Sequence, residues 1–344
     1  MLLDNFNLDD KVFIIAELSA NHGHDIEIAK KTIKAAKESG ADAIKIQTYT
    51  ADTLTIDSDK DYFRLNSGTI WDGSTLYDLY SEGMLPWEWH EELMAYANNL
   101  GLIFFSTPFD NSAVDYLENL NMPIYKVASF EIMDIPLIEY IASKGKPVII
   151  STGIASLDDI DEAVSACRRM GNEQIILLKC TSSYPAKIED ANLNTIPNMK
   201  ETFGVEVGLS DHTMGITVPV VSVALGARVI EKHFILDKTI GGPDASFSLE
   251  PSEFKLMVES VRKAEASLGT IDYSMTDKKK SNRLIGRSLF VVKDIKAGEI
   301  FDKSNVRSIR PGYGLPPKHL KEIIGKVATE DLENGTPLAW RCIK

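Results

Sequence analysis

Residues 12 to 268 alternate two kinds of segment. Short, almost unbroken apolar runs come first: VFIIAE (12–17), AIKIQ (43–47), LIFFSTP (102–108), IYKVAS (124–129), PVIIST (147–152), IILLKCT (175–181), VEVGLSD (205–211) and RVIEKHF (228–234). Runs of this length suit strands buried on both faces of a parallel sheet. Helical periodicity lies between them. Ile26, Ala29, Ile33 and Ala36 step by three and four until Gly40. Ser156, with Asp159 three residues on, predicts a capped helix that buries Ile160, Ala163, Val164 and Cys167 and stops at Gly171. Phe254, Met257, Val258 and Val261 mark another helix, ending near Gly269. VPVVSVALGA (218–227) is apolar all round and reads as a buried helix. Eight strands, each followed by a helical segment, predict an α/β fold of the (β/α)8 TIM-barrel type. A doubly wound open sheet is the alternative; no GxGxxG follows the first strand, which weakens its dinucleotide-binding form.

The pattern changes after residue 269. Residues 270–283, including IDYSMTDKKKSNR, are polar and read as a linker. Residues 284–344 form a small β-rich unit with a weak internal repeat, DIKAGEIF (294–301) and DLENGTPL (331–338), in which glycine marks a turn between short strands. Two domains are expected, 1–269 and 284–344. The second βα connection, about 48 to 88, is unusually long and contains LNSGTIWDG, which suggests a functional loop.

Charge narrows the function classes. A net charge of −13 over 344 residues argues against a nucleic-acid partner, and KKKS (278–281) is the one basic run. No apolar stretch approaches a membrane span of roughly 20 residues. The start, MLLDNFNLDDKVF, has neither the basic residues nor the cleavage site of a secretion signal. Cys167, Cys180 and Cys342 form no CxxC pair, so a cytoplasmic protein is expected.

In such a barrel the chemistry sits at the C-terminal ends of the strands. Here those ends are polar throughout: Glu17; Lys45 and Gln47; Ser106 and Thr107; Lys126 and Ser129; Ser151 and Thr152; Lys179, Thr181 and Ser182; Ser210 and His212; Glu231 and His233. Lys45 and Lys126, with nearby hydroxyls, suit a phosphate and a carboxylate. A lysine between apolar neighbours needs a partner. His212 and His233 suit a divalent metal with open positions for water and substrate. Asp211 and Glu231 are adjacent carboxylates that would orient those imidazoles.

Together these motifs resemble the sialic acid synthase family. The resemblance rests on IAELSANH, IKIQTYT, FSTPFD, YKVASFE, STGIAS, LKCTSSYP, GLSDHT, IEKHF and GGPDASFSLEP, and covers essentially the whole chain in order. RSLFVVKDIKAGE and RPGYG resemble that family's antifreeze-like (SAF) domain. The resemblance implies metal-dependent condensation of phosphoenolpyruvate with an amino-sugar aldehyde, giving a nonulosonic acid and phosphate by C–O cleavage. ELSANH, KIQTYT, TIWDGSTLYDLY and ASFSLEP are most like the pseudaminate branch, whose sugar is 2,4-diacetamido-2,4,6-trideoxy-altrose. The neuraminate and legionaminate branches are the alternative.

Carried over by position, phosphoenolpyruvate contacts fall on Lys45, Thr107, Lys126, Ser129, Ser151, Ser182 and Ser210. Ser182 stands where the family often has Asn. Sugar contacts fall on Glu17, Gln47, Tyr184, Asp244 and Arg310, the last reaching a partner chain in a domain-swapped homodimer. The metal falls on His212 and His233 and is usually Mn2+, with Mg2+ or Co2+ as alternatives. Glu17, His212 and His233 are the expected catalytic residues, Glu17 as proton handler or sugar ligand. A synthase for a phosphorylated sugar would need more arginines around a second phosphate, and the barrel loops offer few beyond Arg64. A non-catalytic carbohydrate- or ice-binding protein would not need intact polar strand ends.

Overall fold

The computed structural model describes residues 1–65 and 71–344, in two compact units, Met1–Gly269 and Thr270–Lys344. In the first unit eight parallel strands close a barrel: β1 (Phe13–Glu17), β2 (Ala43–Thr48), β3 (Ile103–Pro108), β4 (Tyr125–Val127), β5 (Val148–Ser151), β6 (Ile175–Cys180), β7 (Glu206–Asp211) and β8 (Val229–His233). Each strand pairs with its neighbour in sequence, and β8 closes on β1 with His233 opposite Glu17. The helices that follow them in order are α1 (Ile26–Glu38), α2 (His90–Asn99), α3 (Asn111–Asn119), α4 (Ile135–Ala142), α5 (Leu157–Arg169), α6 (Thr195–Phe203), α7 (Thr217–Ala224) and α8 (Pro251–Leu268). The architecture is the expected TIM-type barrel.

Local chemistry accounts for the boundaries. Ser156 and Asp159 form a reciprocal capping box at the start of α5, as their spacing predicts. Strand β7 carries Gly208 because it runs close to β8: a Cβ there would collide with Val229 O and lie 2.7 Å from Leu178 Cδ2. A short hairpin, Leu2–Leu3 with Phe6–Asn7, sets Phe6 against Phe13 at the start of β1, ring centroids 4.7 Å apart.

Two expectations about elements are corrected. Helix α7 is not buried all round: Val218, Pro219, Ser222 and Val223 face inward while Val221 is 44% exposed. The linker also contains a short helix, Asp277–Arg283, capped by Thr276, so the lysines of KKKS lie on an exposed helix. The long connection after β2 carries helices at Ala51–Leu54 and Leu76–Gly83; residues 66–70, part of LNSGTIWDG, lie outside the described residues.

In the second unit β9 (Ser288–Val291) pairs antiparallel with β10 (Val306–Ile309) over a small core that includes Leu289, Val291, Phe301, Val306 and Leu338. The weak repeat is a structural pair. Ile295 and Leu332 exchange both backbone hydrogen bonds. Each repeat's aspartate accepts from the other's turn, Asp294 from Asn334 N–H at 2.7 Å and Asp331 from Ala297 N–H at 2.9 Å.

Candidate active site

Side chains alternate along a strand, so parity decides which ones enter the barrel mouth. Glu17, Lys45, Thr107, Lys126, Ser151, Ser210, Glu231 and His233 are all buried there. Lys45 Nζ lies 2.8 Å from Glu17 Oε2, 3.7 Å from Glu231 Oε1 and donates to Thr107 Oγ1 at 3.1 Å. Ser210 donates to Glu231 Oε1 at 3.4 Å. Lys126 donates to Ser151 Oγ at 2.6 Å and to Val127 O at 2.8 Å. Gln47 stands level with Thr107 in the register and is half-buried.

These groups share one electrostatic field. Burial raises the Glu17 carboxyl to about 7, against the pull of Lys45 and with help from Glu231. Burial also opposes charge on Glu231, but Lys45, Lys126 and His212 more than offset it, and its pKa falls. Lys126 is lowered by burial and by Lys45, with the carboxylates acting against that shift. The mouth therefore sets two lysines beside a carboxylate that its cationic neighbours keep ionised, an arrangement that favours an anionic ligand.

Beyond the strand tips the loops build a cradle. Ser129 does not lie on β4; it opens the 3-10 turn Ser129–Glu131 and accepts from Gly153 N–H at 3.1 Å. A Cβ on Gly153 would collide with Ser182 Oγ and lie 2.8 Å from Ser129 Oγ and 3.1 Å from Cys180 Sγ. Two hydroxyls, a thiol and a main-chain N–H thus converge around a residue without a side chain. Ser182 belongs to this group.

His212 and His233 lie side by side, ring centroids 5.2 Å apart. His212 Nδ1 is 3.2 Å from Thr181 O, which directs that nitrogen's hydrogen to the carbonyl and leaves Nε2 as the acceptor. His233 Nδ1 is buried without a hydrogen-bond partner and sits 3.6 Å from Asp244 Oδ2. Burial, with His212, Lys45 and Lys232, holds the His233 pKa well below the ordinary imidazole value, so this ring is neutral. An imidazole pair, one ring of which is neutral with an orphaned nitrogen beside a carboxylate, fits a divalent first-row cation. Among the described residues no group of three His, Cys, Asp or Glu side chains is placed to hold a metal ion.

Several sequence expectations need correction. Strand β6 turns Cys180, not Lys179 or Thr181, toward the mouth: Cys180 is level with Ser210, while Lys179 folds onto Cys180 O and Thr181 onto Asp190 O. Ser106 faces outward to Thr48. Asp211 does not orient an imidazole; it points out of the barrel into a buried pair with Lys232 at 2.5 Å. The carboxylate at His233 is Asp244, from the loop after β8, which also accepts from Ala20 N–H at 3.5 Å. Cys180 was missed as a site residue although its thiol lies 3.7 Å from His212 Nδ1. Burial opposes a thiolate, but His212, Ser129 and Lys126 bring the thiol down to about 7. Tyr184 packs edge-on against His212 with centroids 4.6 Å apart. Arg310, expected to reach a partner chain, lies in the other unit, where it is exposed directly after β10.

Fold and site define the class: a (β/α)8 barrel whose mouth sets two buried lysines near a pair of imidazoles. The chain belongs to the NeuB family, whose profile matches residues 32–273, and a SAF domain matches residues 286–344. It is 50% identical to a pseudaminic acid synthase of Campylobacter jejuni, over 98% of each chain. Identity to an N,N'-diacetyllegionaminic acid synthase of Legionella pneumophila is 39%, over 96% of this chain and 94% of the other. A crystal structure of the N-acetylneuraminic acid synthetase of Leptospira borgpetersenii, in complex with citrate, superposes with a TM-score of 0.73 at 32% identity. That match covers 82% of this chain and 94% of the other.

Proposed function

We propose that the chain is a transferase of the pseudaminate type, condensing phosphoenolpyruvate with 2,4-diacetamido-2,4,6-trideoxy-altrose to give a nonulosonic acid and phosphate. The observation that carries it is the convergence of two buried ammonium groups, a hydroxyl cradle and an imidazole pair in one barrel mouth. The identity is also higher to a pseudaminate synthase, 50%, than to a legionaminate synthase, 39%.

Phosphoenolpyruvate carries a phosphate and a carboxylate. Lys45 with Thr107 and Lys126 with Ser151 supply charge-assisted hydrogen bonds to them in a site sheltered from water. The cradle of Ser129, Gly153 N–H and Ser182 suits the phosphate oxygens. C3 of the enol attacks the sugar aldehyde, water adds at C2, and C2–O cleavage releases phosphate. Glu17, with a pKa of about 7, exchanges a proton near neutral pH and accepts a sugar hydroxyl from the same position. His212 and His233 would hold a divalent cation, Mn2+ ahead of Mg2+ or Co2+, with Asp244 beside them. When bound, that cation supplies Lewis acidity at an oxygen of the substrate. Gln47, Tyr184, Asp244 and Arg310 are assigned to the sugar.

The chain acts as a homodimer in the cytoplasm. Phe130, Met133, Ile154, Leu157, Ile188 and Met214 are all exposed, and they follow the ends of four adjacent strands, β4 to β7. An apolar rim of this kind suits burial against a second copy. No helix among the described residues is long and apolar enough to cross a membrane.

Candidate amino sugars incubated with phosphoenolpyruvate and Mn2+ test the assignment by phosphate release, with products read by mass and NMR. The diacetamido altrose sugar should be turned over fastest. Faster turnover of N-acetylmannosamine or of the legionaminate precursor would replace the assigned substrate, and no phosphate with any sugar would reject the activity.

A further inference from the structure

The barrel mouth has an aromatic wall of which the mechanism above uses only Tyr184. Trp71 comes from the long connection after β2, and Tyr184 from the loop after β6. Strands β2 and β6 are four apart in an eight-stranded barrel, so these loops rise from opposite sides of the mouth. The two rings nevertheless meet, with centroids 5.5 Å apart and planes at 52°. Trp71 Nε1–H donates to Pro243 O, in the loop after β8, at 3.0 Å. The indole is thereby anchored on a third element, and its N–H is already committed to the main chain.

Behind Trp71 the rings continue down to the imidazoles. Tyr184 packs on His212 at 4.6 Å and on Phe247 at 5.2 Å, and Phe247 packs on His233 at 5.0 Å. Phe247 is buried, whereas Tyr184 and Trp71 are only partly so. Trp71 thus stands at the end of a run of tilted and edge-on rings whose other end is the proposed cation site. These rings lead from the imidazoles to the loop after β2.

Resting on the function proposed above, we infer that Trp71 is a specificity-determining residue that receives the methyl terminus of a 6-deoxy amino sugar on its ring, with Tyr184 as its support. The physical basis is the ring's apolar surface. A methyl group loses water on contact with it at no polar cost, whereas a terminal hydroxymethyl group gives up hydrogen bonds to water. An apolar surface discriminates only moderately against an added hydroxyl, by about 100-fold or less. The expected signature is a preference that can be removed, not an absolute gate.

The test compares wild type, Trp71→Ala and Trp71→Phe with two sugars, the 6-deoxy diacetamido sugar and its 6-hydroxy counterpart. Phosphate release gives kcat and KM for each sugar, KM for phosphoenolpyruvate is measured in parallel, and thermal unfolding checks the fold. Trp71→Ala should raise KM for the 6-deoxy sugar by about 10- to 100-fold. It should leave the 6-hydroxy sugar within about threefold, so the wild-type preference collapses, and it should leave KM for phosphoenolpyruvate unchanged. Trp71→Phe should retain most of the preference, which keeps the test informative if the alanine variant folds poorly. Equal losses for both sugars, or an unchanged preference in both variants, would overturn the inference while leaving the proposed reaction standing. A wild-type enzyme that releases no phosphate with the 6-deoxy sugar would overturn the proposed reaction, and the inference with it.

Discussion

Lys45 and Glu17 form a buried ion pair, 2.8 Å apart, on the neighbouring strands β2 and β1. Glu231 reaches the same ammonium at 3.7 Å from β8 on the other side of β1. One cation thus balances two carboxylates, and Glu17 is the one whose pKa rises to about 7.

The two lysines should respond differently to removal. Lys45→Met strips the counter-charge from two buried carboxylates and should destabilise the fold by about 3–5 kcal/mol as well as abolish turnover. Lys126 has no carboxylate within salt-bridge distance among the described residues, and its own pKa is lowered by burial. Lys126→Met should leave the unfolding midpoint unchanged or raised while increasing KM for phosphoenolpyruvate by about tenfold or more. Thermal unfolding alongside phosphate-release kinetics separates the two; equal loss of stability in both variants would contradict the pairing.

Glu17 should make stability depend on pH with a definite sign. Its folded pKa, about 7, lies above the unfolded value of 4.5, so the folded state binds more protons between those limits. The stability Glu17 contributes is full below about pH 4.5 and is lost as pH rises through about 7, by an amount on the order of 3 kcal/mol. Glu17→Gln cannot titrate. Measured from pH 5 to pH 8, the wild type should lose stability relative to this variant, and a constant difference would show that the carboxyl titrates normally.

Gly153→Ala tests the cradle. The added Cβ would collide with Ser182 Oγ and crowd Ser129 Oγ. The cost to the fold should be about 1–3 kcal/mol. KM for phosphoenolpyruvate should rise sharply, while KM for the sugar changes little. A selective rise in the sugar's KM would place the cradle on the wrong substrate.

The imidazole pair can be examined without turnover. Loss of either His212 or His233 should abolish Mn2+ binding by electron paramagnetic resonance, with phosphate release falling to near zero. Undiminished Mn2+ binding by His233→Ala would rule out the ligand assignment, since His233 Nδ1 is the orphaned buried donor on which it rests.

The barrel was legible in the chain because it depends on local information. Eight apolar runs of strand length, separated by segments of helical period, leave few architectures, and polar residues at each run's end follow from where such barrels keep their chemistry. Lys45, Lys126, Ser151 and Ser210 are buried at strand ends, and the two imidazoles lie side by side. What the chain did not disclose was phase and reach. A strand buried on both faces shows no alternation to set its parity, so IILLKCT could not reveal that Cys180 turns inward while Lys179 and Thr181 turn away. The same ambiguity hid the outward pairing of Asp211 with Lys232. Asp244 at His233, and Trp71 against Tyr184 across the mouth, join residues 11 and 113 positions apart along the chain. Local propensity decides which segments become strands and helices; only closure of the barrel brings the loops together and sets which side chains share a site.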